Sequence, residues 1–168
     1  MARVTKSRVV KASAQQVWNV IGNYTNIHVF HPFVKDVDQL SEGAYGLGAS
    51  RQCNLYNQSS IVETVTHWEE GRSYTVQTGD QPMFGVTTGT MSVHFIDATT
   101  SKVTVDTTYT PKWGVLGKIL DLLVLRMGVS YALSRVLKSL QHYMETGELV
   151  GKGGKPISLS APSVHPTK

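Results

Sequence analysis

Two strand-like runs, residues 49 to 56 and 60 to 68, carry Arg51 and Glu63 on either side of the polar turn YNQSS. If that turn centres near Gln58, Arg51 falls almost opposite Glu63. Alternation along a strand then puts Arg51, Cys53 and Leu55 on one face, and Ile61, Glu63, Val65 and His67 on the facing one. An arginine and a carboxylate so placed admit two readings. They can neutralise each other and hold the sheet, or Glu63 can accept a ligand hydroxyl or a proton. A carboxylate without a partner in apolar surroundings has a raised pKa and works as an acid or base near neutrality, whereas an adjacent guanidinium pushes it the other way. His67 and the phenol of Tyr109 are further proton-transfer candidates, although a buried tyrosine at a strand end also serves as core with one satisfied hydrogen bond. Lys35 shares a face with Val37 and Gln39 by alternation. Pointing inward it would anchor a carboxylate or form a Schiff base; pointing outward it would lie along the surface with its ammonium in water.

Other chemistries find little support. His28 and His31 have HxxH spacing, but zinc needs three or four ligands and no second cluster at ligand spacing occurs, so no metal is expected. Cys53 is the only cysteine, which excludes an internal disulfide and cysteine-rich zinc sites, and no nucleophile signature surrounds it. GKGGKP does not follow a strand and is no phosphate loop, and no cofactor is expected. A nucleic-acid surface would need clustered basic residues, often with stacking aromatics; Arg3, Lys6, Arg8 and Lys11 merely alternate along a strand. The net charge of +4 owes three of its positive charges to Lys152, Lys155 and Lys168, so no nucleic-acid partner is expected.

The elements that must position these residues follow from periodicity. The chain has 168 residues, 40% hydrophobic and 17% charged, which fits one globular domain. Residues 4 to 11 read as a strand. SAQQVWNVIGNY starts a helix with Ser13 as N-cap and Gln16 at the capping-box position, and its apolar residues Val17, Trp18, Ile21 and Tyr24 recur at helical spacing. A second helical turn covers Asn26 to His31 and stops before Pro32. Six further strands follow, at about 34 to 40, 49 to 56, 60 to 68, 72 to 78, 87 to 97 and 102 to 110, with no helix between them, which predicts consecutive antiparallel hairpins. Tyr74 and Val76 face inward, as do Thr87, Gly89, Met91, Val93 and Phe95, with Val103, Val105, Thr107 and Tyr109 on the last strand. A long helix spans about Val115 to Thr146, with Leu116, Leu120, Leu123, Met127, Ser130, Leu137, Leu140 and Met144 as its apolar stripe and Gly147 as its stop. Lys118, Asp121 and Arg126 argue against a membrane span there. Residues 1 to 146 form the domain, and 147 to 168, rich in glycine and proline, read as a flexible tail. The N-terminus has no apolar run of a secretory signal, so a cytoplasmic location is expected.

The predicted class is α+β: a seven-stranded antiparallel curved sheet wrapped around a long C-terminal helix, with two short helices between strands 1 and 2. Such a grip leaves a cavity wherever side chains do not fill it. In order and spacing, VWNVIGNYTNIHVFHPFV (17 to 34), GLGASRQCNLYN (46 to 57), IVETVTHWEEGRSYTV (61 to 76) and TYTPKWGVLGKIL (108 to 120) resemble the START-related, birch-pollen-allergen-like superfamily (SRPBCC), in its polyketide cyclase and dehydrase-like branch. The resemblance implies a helix-grip fold whose elongated, mostly apolar pocket binds lipids, hormones, polyketides or plant secondary metabolites. It also implies a cavity lysine at Lys35, where the plant hormone-receptor branch has one, and fits the tendency for Arg and Glu at 51 and 63.

The leading expectation is therefore a binder of a hydrophobic small molecule: a lipid, a polyketide or another aromatic metabolite. Expected ligand contacts are Lys35, Arg51, Cys53, Leu55, Glu63, Tyr74, Val76, Met91 and Tyr109 from the sheet, with Leu120, Leu123 and Met127 from the long helix. The alternative is a cyclase, aromatase or dehydratase using Glu63, His67 or Tyr109 for proton transfer; the sequence leaves open whether there is an enzyme. A third, less favoured reading is lipid transfer or membrane contact through Met83, Phe84 and Trp113 on loops at the pocket mouth. Monomer and homodimer both remain open.

Overall fold

The computed structural model describes residues 1–79, 84–112, 114 and 124–157. Strand β1 (Ala2–Val10) leads into helix α1 (Ala14–Ile21) and a 3-10 helix (Tyr24–Val29). Then come β2 (Val34–Gln39), β3 (Ser50–Leu55), β4 (Ser60–Glu69), β5 (Ser73–Thr78), β6 (Thr87–Asp97) and β7 (Thr100–Tyr109), followed by helix α2 (Arg126–Thr146). The seven strands form one antiparallel sheet in the order β1-β7-β6-β5-β4-β3-β2, a hairpin meander with β1 added beside β7. This is the helix-grip arrangement that the element order predicts.

Local chemistry sets the boundaries. Ser13 caps α1 through a full capping box: its hydroxyl accepts from the Gln16 amide at 3.2 Å, and its own amide donates to the Gln16 side chain at 2.9 Å. Gly147 closes α2 with φ 73°, a left-handed conformation that suits glycine, and its amide reaches the Tyr143 carbonyl at 2.8 Å. The β3–β4 turn is built on Gln58, at φ 72°, which fixes the register and sets Arg51 directly opposite Glu63.

The core lies where α1 and α2 cover the sheet, around Val10, Val17, Trp18, Ile21, Val103, Leu137 and Leu140. Helix α2 packs chiefly on β1 and buries Val136, Leu137 and Leu140. Met127, expected on the same stripe, is 70% exposed. At 3.6 residues per turn it sits about 80° round the helix from Leu137 and about 140° from Leu140, so it falls off the buried face. Of the other stripe residues, Leu116, Leu120 and Leu123 lie outside the described residues.

Three β-bulges alter the expected facing of strand residues. The register passes from Val34↔Leu55 to Asp36↔Asn54, from Val65↔Val76 to His67↔Thr75, and from Phe95↔Ser101 to Asp97↔Thr100. Lys35, Thr66 and Ile96 are the extra residues, and each breaks the alternation of faces beyond it. Lys35 is consequently thrown outward, and His67 is exposed while Trp68 turns towards the core. Phe95 precedes its bulge and keeps its place in the alternation, yet at the far end of β6 it is 71% exposed rather than inward.

Beyond Gly147, where a flexible tail was expected, β8 (Leu149–Val150) and β9 (Pro156–Ile157) form a small hairpin. It is tied back by the Gly153 amide to the Pro32 carbonyl at 2.8 Å and by the Arg135 guanidinium to the Gly153 carbonyl. Residues 158–168 lie outside the described residues. Among the described residues, no helix is long and apolar enough to cross a membrane.

The placement of α2 is open to a direct check. Leu140→Ala removes a side chain with no exposed surface and should lower the unfolding free energy by about 2–5 kcal/mol. Met127→Ala should change it by less than about 0.5 kcal/mol. Urea unfolding of the two variants that gave similar losses would show α2 to be rotated from this position.

Candidate functional site

Between the sheet and α2 lie two adjoining chambers. The inner one, about 150 Å3, is bounded by Ile27, His31, Arg51, Glu63, Tyr74, Met91, Leu133 and Val136 among others. The outer one, about 300 Å3, is bounded by Ile61, Thr78, Phe84, Thr87, Tyr109 and Val129. Glu63, Val76, Gly89 and Thr107 line both. Larger depressions, of about 530 Å3 beside Lys35 and about 440 Å3 beside Phe95, have more polar walls. The paired chambers are where apolar walls and a few convergent polar groups meet, as in small-molecule sites of roughly 300–1,000 Å3.

The charge at the centre is Arg51, whose side chain is 2% exposed. Its Nε and Nη2 donate to the same oxygen of Glu63, Oε2, at 2.9 and 2.6 Å. Nη1 donates to the Tyr24 carbonyl, and the guanidinium carbon sits 3.8 Å from the centroid of the Tyr24 ring. Burial works most strongly against the charge of Arg51, but Glu63 together with Tyr74, Cys53 and Tyr24 outweighs it, and the group is held more firmly protonated than usual. Tyr24 in turn donates its hydroxyl to the Glu63 carbonyl at 3.1 Å. Burial raises the pKa values of Tyr24 and Tyr74, with Arg51 opposing in both, so both phenols stay neutral.

An aromatic file runs outward from this centre. Tyr24 meets Tyr74 edge to face at 5.7 Å, Tyr74 stacks on Trp68 at 5.8 Å, and Trp68 meets Trp18 at 5.2 Å. Glu70 pins the two indoles, taking Trp18 Nε1 on one oxygen and Trp68 Nε1 on the other, both at 2.8 Å.

The expected contacts divide clearly. Arg51, Glu63, Tyr74, Val76 and Met91 come together at the inner chamber, and Tyr109 lines the outer one, where Phe84 packs on its ring at 5.1 Å. Cys53 is buried in the core with its Sγ 3.8 Å from Glu63 Oε2. Leu55 packs against the core but borders the depression beside Lys35 rather than the chambers. Lys35 is not a cavity residue: its side chain is 65% exposed and lies 3.5 Å from Asp36. His67 and Met127 are excluded by exposure. Leu120, Leu123, Met83 and Trp113 lie outside the described residues. Among the described residues no group of three or more His, Cys, Asp or Glu side chains could hold a metal.

Three residues of the site were not among the expected ligand contacts. Tyr24, read in the sequence as one apolar position of a helix, holds Arg51 with both its carbonyl and its ring. His31 lines the inner chamber, with the Phe33 amide directed at its Nδ1 at 3.4 Å; a protonated ring could not accept that hydrogen. Gly89, on the inward face of β6, leaves open the space between the chambers: a Cβ there would meet only a Val76 methyl, at 3.6 Å. Glycine in mid-strand is a signal of close approach or of space.

With this geometry in view, residues 1–145 match the family described as polyketide cyclase / dehydrase and lipid transport. The chain belongs to that family. No curated protein matches it in sequence. Among solved structures it resembles an uncharacterised protein from Bacillus thuringiensis, at 24% identity and a TM-score of 0.71, over 86% of this chain and 99% of that one. It also resembles the di-domain ARO/CYC protein BexL of the BE-7585A biosynthetic pathway, at 17% identity and 0.73, covering 86% of this chain and 47% of that chain. A START superfamily protein from Mycobacterium smegmatis matches at 17% and 0.64, over 85% and 97%. At these identities the likeness is one of fold.

Two titrations check the site. Burial, with Arg51 adding to it, holds His31 at about 3 instead of the usual 6.5. The unfolded chain therefore takes up a proton at this residue that the folded chain does not, and stability should fall as pH drops from about 6.5 towards 3. Denaturant unfolding across that window should show a shallower fall for His31→Gln; an equal fall would clear His31 of the effect. Burial likewise pushes the Cys53 thiol up to about 12, so Ellman's reagent near neutral pH should label it only after unfolding. Rapid labelling of the folded protein would contradict its placement.

Proposed function

We propose that this protein binds a hydrophobic small molecule in the paired chambers, with the Arg51–Glu63 pair as the polar reference point and Tyr74, Val76, Met91 and Tyr109 as walls. The observation that carries this reading is the mostly apolar space between sheet and helix kept open at Gly89, inside a strand where almost any side chain would narrow it. A space of this kind represents forgone packing, which a ligand restores. Membership of the family supports the same class of ligand. The lipid, polyketide or other aromatic character of the molecule is part of the proposal.

A second reading has one specific observation in its favour. Glu63 borders both chambers and keeps 20% of its side chain exposed, so a substrate held there would have a carboxylate within reach for proton transfer. On this view the protein is a cyclase-like enzyme in which the chambers hold the reactive conformer and Glu63 moves the proton. Turnover of an aromatic polyketide substrate that disappears in Glu63→Gln while binding persists would favour it over simple binding.

For the binding reading, thermal unfolding with a panel of fatty acids and aromatic polyketides should show stabilisation by at least one class, as expected of any ligand specific for the folded state. Gly89→Leu, which projects into the shared space, should abolish that stabilisation while leaving the protein folded. Indifference of the native protein to the whole panel would defeat the proposal, and so would unchanged binding by Gly89→Leu.

A further inference from the structure

Resting on the cavity-binding reading, we infer the polarity of the ligand: it enters with a hydrogen-bond donor, a hydroxyl or an amine, and not with a carboxylate, and Glu63 Oε1 accepts from that donor. A buried arginine in an apolar pocket invites the opposite conclusion, that it holds an acid. The hydrogen bonds argue against it. All three guanidinium nitrogens of Arg51 are occupied, two by Glu63 Oε2 and one by the Tyr24 carbonyl, and a face of the group is covered by the Tyr24 ring. An incoming carboxylate would have to compete with Glu63 for the guanidinium and would bring a second negative charge beside the first.

The asymmetry of the pair makes the case positive as well. Arg51 Nε, Arg51 Nη2 and Cys53 Sγ all converge on Oε2 of Glu63. Oε1 receives no hydrogen bond from any described residue, although the Glu63 side chain is one-fifth exposed and borders both chambers. An anionic oxygen so placed is a strong acceptor, and a hydrogen bond to it is charge-assisted. The other polar groups of the walls are hydroxyls and a neutral imidazole: Thr78 and Thr87 face each other at 2.8 Å, Tyr74 points its hydroxyl at Met91 Sδ at 3.7 Å, and His31 turns Nδ1 to an amide. Among the described residues bordering the chambers, Arg51 is the one cation, and it is already paired. A carboxylate would be desolvated beside a like charge, whereas a neutral hydroxyl loses little hydration and gains the strongest acceptor in the cavity.

Three ligands of one ring system read this directly: 1-naphthol, its methyl ether and 1-naphthoate, titrated calorimetrically into the full-length protein at neutral pH. The naphthol should bind at least about tenfold more tightly than either of the others, the ether lacking the donor and the acid bringing a second negative charge. In Glu63→Gln the preference should shrink, and naphthoate should gain because Arg51 is left without its counter-ion. Naphthoate binding as tightly as naphthol to the native protein, or the ether matching it, would overturn the inference and leave the cavity reading intact. A naphthol preference that survives undiminished in a folded Glu63→Gln would also overturn it, by removing Glu63 as the acceptor. Failure of all three to bind would overturn the inference together with the reading on which it rests. The comparison among the three ligands needs no variant, so it decides the matter even if Glu63→Gln does not fold.

Discussion

Burying one guanidinium is the constraint around which this structure is arranged. An arginine taken out of water must have its hydrogens accepted and its charge answered, or the fold loses several kilocalories per mole. Glu63 from β4 supplies the charge, Tyr24 from the 3-10 helix supplies a carbonyl and a ring face, and Tyr74 from β5 completes the surroundings. Three separate elements are thereby fixed to β3. The requirement reaches back to the β3–β4 turn, whose left-handed Gln58 sets the register that brings Glu63 opposite Arg51.

The pair also separates a solid part of the interior from a hollow one. On one side, the edge-to-face and stacked rings of Tyr24, Tyr74, Trp68 and Trp18 pack into a continuous file, held at its outer end by Glu70. On the other, β6 and β7 present Gly89, Thr107 and Tyr109 to open space. Polar groups that would be a liability in a closed core become useful at such a boundary. They are satisfied from the packed side and still addressable from the cavity.

Much of this was legible in the sequence. All seven strands, the capped helix α1 and the Arg51–Glu63 pairing follow from period-two alternation, turn chemistry and the capping box. The residues that were misplaced share physical causes. Lys35 sits on a bulge and His67 just beyond one; alternation rules assume an unbroken ladder, and neither Lys35 nor Thr66 advertises a bulge as a glycine would. Met127 fails for another reason: a helical stripe extrapolated over ten residues accumulates angular error, and only packing against β1 shows which face is buried. Tyr24 was visible as an apolar position, but its grip on Arg51 depends on the 3-10 helix docking on the sheet, which no local pattern encodes.

Gly89 has a consequence for shape. Where the wall of a cavity is bare strand, a ligand can lie against the peptide planes themselves, closer to the sheet than any side-chain wall would permit. Flanked by Val76 and Thr107 on its neighbouring strands, that bare stretch forms a slot and not a sphere. Flat, fused-ring molecules fit a slot with little loss of conformational freedom, while bulky branched ones of equal volume do not.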